Sequence, residues 1–163
     1  MLWSVQQEMN QALVEAAIDA AGDGERLPDD LLTAAYCRAA EILMGEMATG
    51  LATSGPWPAR WERAVRAVVA AVRARPGLSR LTLCEPHSET ISEHRMGYRR
   101  AFIDVLESEF SDPELPELHA EVLAGAIYRA YVAEAEAGRL TDPNVDVVPK
   151  LVNVIAILEP VPA

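Results

Sequence analysis

Apolar residues recur along this chain at intervals of three and four, the spacing that puts side chains on one side of an α-helix. Val5, Met9, Ala12, Leu13, Ala16 and Ala17 form such a stripe, predicting a helix over residues 2–21 that stops at Gly22-Asp-Gly24. Pro28, Asp29 and Asp30 open a second helix, since proline suits a first helical turn and acids favour the positive end of the helix dipole. It runs through Leu31, Ala35, Leu43 and Met47 to about Ala52, where Thr53-Ser-Gly-Pro56 breaks it. Trp61, Ala64, Val65, Val68 and Val72 share one side of a third helix, residues 58–74, with Arg60, Arg63 and Arg73 on or near the other.

Pro76-Gly77 ends that helix, and a short segment, 78–85, precedes Pro86. A fifth helix over 89–110 turns Ile91, Tyr98, Phe102, Val105 and Leu106 inward, and a sixth covers 117–137 up to Gly138. The last, 149–158, is apolar on nearly every side, so it needs cover all round. A partner subunit can supply that cover. The sixth helix offers small residues for close approach at Gly125 and Ala126 and bulk at Val122, and the last offers Val152 and Ile155. The expectation is an all-α antiparallel bundle of about seven helices, its last two pairing across a two-fold axis as a dimeric four-helix bundle. The alternative is that both helices complete the core of a monomer.

Composition agrees with helices. Ala supplies 27 of the 163 residues and Leu 17, both strong helix formers, while aromatics are 6%. The net charge of −11 is unevenly spread: −7 over residues 1–55, +5 over 56–100 and −9 over 101–163. An acidic chain makes a poor nucleic-acid binder, which needs a basic face to neutralise phosphates. The Arg-rich middle lies at helical spacing among apolar residues, which reads as a solvated or internally paired face. Cys37 and Cys84, both in apolar segments, read as small hydrophobes in a reducing compartment. The N-terminal residues do not form a signal peptide, and no apolar run approaches the roughly 20 residues of a bilayer span. The expected setting is cytoplasmic, away from membranes.

The candidate chemistry is sparse. Glu85, His87, Glu89, Glu93 and His94 form the densest polar cluster, without metal-ligand spacing, and Ser88-Glu89 reads as helix capping. His119 stands alone near a helix start, neither cysteine has a histidine beside it, and there is no glycine-rich phosphate loop. We expect neither an enzyme nor a metal or cofactor. A ligand pocket has more support. Trp61, Cys84, Tyr98, Phe102 and Tyr128, with Met44, Met47, Trp57, Met96 and Tyr131, supply apolar walls, and His87 and Arg95 can hold a polar end. The same side chains also suit an ordinary core.

Residues 31–158 resemble the C-terminal ligand-binding and dimerisation domain of TetR-type transcriptional regulators. Leu31-Leu-Thr-Ala-Ala-Tyr-Cys-Arg-Ala-Ala is similar to the family's long linker helix. Trp57-Pro-Ala-Arg-Trp-Glu-Arg-Ala-Val-Arg-Ala-Val-Val and Arg75-Pro-Gly-Leu-Ser-Arg-Leu-Thr-Leu-Cys-Glu85 resemble its passage from helix through proline to a short helix. Ala137-Gly-Arg-Leu-Thr-Asp-Pro-Asn-Val-Asp146 is similar to the join between its two dimerisation helices. The resemblance implies a homodimer that senses a small apolar or amphipathic ligand. It also divides the chain into an N-terminal helix and turn, 1–27, and a sensing and dimerisation domain, 28–163. Residues 1–27 hold one basic residue, Arg26, and cannot form the family's helix-turn-helix head, so no direct nucleic-acid binding by this chain is expected. The competing class is a ligand-free helical interaction or scaffold protein that pairs with another subunit.

Overall fold

A computed structural model describes residues 2–84, 89–108 and 116–156, with side chains left out at 2–9, 90 and 116–119. Over these residues it is an all-α bundle of seven helices: α1 (Leu2–Gly22), α2 (Asp29–Leu51), α3 (Trp57–Ala74), α4 (Gly77–Ser79), α5 (Glu89–Glu107), α6 (Pro116–Glu136) and α7 (Val148–Ala156). A π-helical turn, Arg80–Cys84, continues α4. Among the described residues there is no strand.

The helices stop where local chemistry stops them. Gly24 and Gly138 have positive φ, +86° and +70°, and the amide after each donates back to the preceding helix, Glu25 N to Ala20 O and Arg139 N to Glu134 O. This is the Schellman closure, which satisfies carbonyls that a helix end would otherwise leave unpaired. At the end of α2 the arginines of α3 take part. Arg60 Nη1 donates to Leu51 O at 3.2 Å and Arg63 Nη2 to Ser54 O at 2.5 Å. Arg73 holds the α6–α7 loop through Leu140 O and Val145 O. Much of the basic middle block is thus used within the molecule.

One core runs through the bundle. Trp61, Ala64, Val65, Val68 and Val72 are all buried on α3, on the side their spacing indicates. Ala17, Ile18 and Ala21 of α1 join the same cluster, as do Leu78 and Leu81 around the π turn. Glu15 ties α1 to its neighbours, accepting from Arg38 Nε at 2.8 Å and Arg75 Nη1 at 2.7 Å. Arg38 and then Arg75 hold the Glu15 carboxyl below the usual carboxylate range. The C-terminal half of α1 therefore shares a core with the body of the chain.

The last helix is less uniformly apolar in space than in sequence. Val148, Leu151 and Ile155 are buried in the protomer, whereas Pro149, Lys150, Asn153 and Ala156 are exposed. Ile157 and Leu158, which extend the apolar run, lie outside the described residues. Over its described length α7 buries one side, as a surface helix does.

Candidate functional site: a cavity between four helices and the π turn

An apolar cavity of about 410 Å³ lies between α2, α3, α5, α6 and the π turn. Tyr36, Ala40, Leu43, Met44 and Met47 form the α2 wall, a single helical face. Val68 and Val72 close the cavity on the α3 side, and Thr82 and Leu83 on that of the π turn. The Thr82 hydroxyl does not offer its proton to the cavity, because it donates to Leu78 O at 2.7 Å. α5 contributes Arg95, Tyr98, Arg99 and Phe102; α6 contributes Ala124, Gly125, Ile127, Tyr128, Arg129 and Tyr131. Small residues on α6 leave the space, since Gly125 has no side chain and an added Cβ there meets nothing within 4 Å.

Polar groups are few and specifically placed. The Tyr98 hydroxyl donates to Cys37 O at 3.1 Å, and its ring meets Tyr36 edge-on with centroids 6.2 Å apart. Burial, first of all, pushes the Tyr98 phenol up to about 12. The Tyr131 hydroxyl is buried without a hydrogen-bond partner, and desolvation raises its pKa still further. Burial likewise raises the Tyr36 phenol, against the opposing effect of a hydrogen bond with the Arg95 guanidinium. The Arg95 Cζ stands 5.8 Å from the centre of the Tyr128 ring, and its buried Nε and Nη2 have no hydrogen-bond partner. The exposed Arg99, Tyr128 and Arg129 mark the mouth.

Of the predicted ligand residues, Arg95, Tyr98, Phe102 and Tyr128 are brought together around this cavity. Trp61 is not among its walls. It is 1% exposed in the core, where its ring meets Phe102 edge-on with centroids 6.3 Å apart. Cys84 is exposed and lines a separate, more polar groove with Arg80, Glu136 and Thr141. The π turn directs Leu83 to the cavity and leaves its neighbour Cys84 elsewhere. His87 lies outside the described residues. Met96 is 65% exposed and takes no part. Tyr36, Leu83, Arg99 and Arg129 are among the wall residues that the sequence reading missed; for Tyr36 the available signal was its spacing to Ala40, Leu43 and Met47, four positions on one face of α2.

The residues predicted for a dimer interface separate by exposure. Val122 is 51% exposed, Gly125, Ala126 and Val152 are half-buried, and Ile155 is buried in the protomer's own core. Gly125 also borders the cavity.

Among the described residues, no group of three His, Cys, Asp or Glu side chains is placed to hold a metal. No helix there is long and apolar enough to cross a membrane. No family model matches the chain, and neither does any curated protein or solved structure.

Proposed function

We propose that this chain is a small-molecule-sensing and dimerisation domain of the TetR-regulator type, with no DNA-binding head within its own residues. The observation that carries the reading is the cavity: about 410 Å³, apolar, walled by four helices and the π turn, with a few buried polar groups. Ligand sites of small proteins have this size and make-up and commonly lie between the helices of a bundle. Occupancy would favour one arrangement of α5 and α6 over another, and a regulator reads such a shift of population as a signal. Val122, Gly125 and Ala126 on α6, with Val152 on α7, form the proposed dimer surface. The absence of a head in this reading is supported by α1, a single long helix whose residues Ala17, Ile18 and Ala21 pack into the core.

Native mass spectrometry of the purified protein tests this. A dimer of about 35 kDa, twice the 17.7 kDa chain, that retains or takes up a small apolar molecule is expected. A monomer that binds none would instead favour the ligand-free interaction protein. The exposed Leu13, Met96 and Val122 would suit that second reading as contact residues.

A further inference from the structure

We propose that the ligand of this cavity is an amphipathic carboxylate, its head held by Arg95 and its tail lying among Met44, Met47, Phe102 and Ile127. The inference rests on the sensing role proposed above and names the chemical class that the site takes.

The first observation is the Arg95 guanidinium. Nε and Nη2 make up one edge of the planar group, the fork that matches the two oxygens of a carboxylate. In Arg95 that edge is buried and has no partner. The same edge of Arg139 shows how it is used elsewhere in the molecule, since Nε and Nη2 grip Glu134 at 2.6 and 2.9 Å. Two buried donors of a cation left without an acceptor are costly, and the Tyr36 phenol and the Tyr128 ring beside the half-buried guanidinium compensate only in part.

The second observation is the distribution of charge. The molecule carries −11, yet the cavity is lined by Arg95, Arg99 and Arg129 and by no Asp or Glu. Among the described residues, none of these three forms an ion pair with a carboxylate, whereas Arg38, Arg66, Arg75, Arg100 and Arg139 each do. An acidic protein has thus gathered unneutralised cations at one apolar cavity, two at its mouth and one inside. Such a mouth raises the local concentration of anions and disfavours cations. The Tyr131 hydroxyl, buried and unpartnered in the same wall, is a further donor for the head group or for a water bridging to it.

The test uses octanoate, 1-octanol and octylamine, which share a tail and differ in head group, titrated into the full chain by calorimetry. Octanoate is expected to bind at least tenfold tighter than octanol, with octylamine weakest. Arg95→Gln should remove most of the preference for octanoate and leave octanol affinity within about twofold, and Arg95→Lys should restore part of it. Equal binding of octanoate and octanol to the wild type overturns the carboxylate assignment while leaving the cavity a ligand site. An Arg95→Gln variant that loses both ligands equally overturns it too, because Arg95 would then be holding the walls. Failure of all three to bind the folded protein overturns the sensing role along with the inference.

Discussion

Gly50 of α2 rests directly on Ala64 of α3: a Cβ built on Gly50 would lie 2.4 Å from Ala64 Cα. Both residues are buried, so the two helix backbones meet here without an intervening side chain. Gly50→Ala must push the helices apart, and overpacking a tight contact costs about 1–3 kcal/mol. We expect a loss near the upper end, measured by urea unfolding. Gly45→Ala on the same helix is the contrast. Its added methyl meets nothing within 4 Å, so relief of glycine's backbone entropy should stabilise the protein by about 0.5–1 kcal/mol. Equal effects of the two substitutions would refute this account of the α2–α3 contact.

Gly77 makes a similar contact with α1, where an added Cβ would fall 1.7 Å from Ile18 O. No rotamer can relieve a clash with backbone. Gly77→Ala should therefore displace α1 from Leu78 and Leu81, costing about 3 kcal/mol or more. Hydrogen exchange should show the loss first in amides 17–22. Unchanged protection of α1 would mean that this approach is not what seats the helix.

Glu134 is 1% exposed, covered by the two basic side chains that bind it, Arg139 and Lys150. Arg139 first and then Lys150 hold its carboxyl at about 2, below the ordinary 4.5. A carboxyl depressed in the folded state stabilises the protein above its unfolded pKa, and that contribution disappears as pH falls through the folded one. Stability should therefore decline between about pH 4.5 and pH 2 in the wild type, and more shallowly there in Glu134→Gln. At neutral pH the same variant should be weaker by about 2 kcal/mol, the scale of charge-assisted hydrogen bonds. Denaturation at stepped pH separates the two effects, and parallel acid limbs would exclude Glu134 as their source.

Val122 is an exposed valine on the proposed dimer surface. If the proposed interface holds, Val122→Glu places a charge within it and should weaken dimerisation by about 100-fold, as loss of a central contact does. Sedimentation velocity should then find monomers with unchanged helicity. A variant that dimerises like the wild type would move the interface away from this part of α6.

Helix positions were legible from the residues because the signals that start and stop helices are local. Gly24 and Gly138 close α1 and α6 through bonds to residues three to five positions earlier, and Pro28 and Pro56 precede α2 and α3. The valines of α3 are buried where a 3.6-residue period puts them. The site was legible only in part. Arg95, Tyr98, Phe102 and Tyr128 meet at the cavity, but Trp61 shares their apolar character and is sealed in the core. Periodicity tells which way a side chain points. It does not tell whether another side chain or open space lies opposite.

That distinction depends on distances between backbones. Gly50 against Ala64 draws α2 and α3 together at one end, while the aligned Tyr36, Leu43 and Met47 face a gap along the same helix. The π turn similarly sends Leu83 and the adjacent Cys84 to different pockets. Helix type, length and inward face follow from interactions between near neighbours, which one strand of residues already contains. The cavity, the burial of the Arg95 fork and the loss of Ile155 to the protomer's core arise from residues tens of positions apart. Those contacts, and the volume left between them, exist only once the helices have packed.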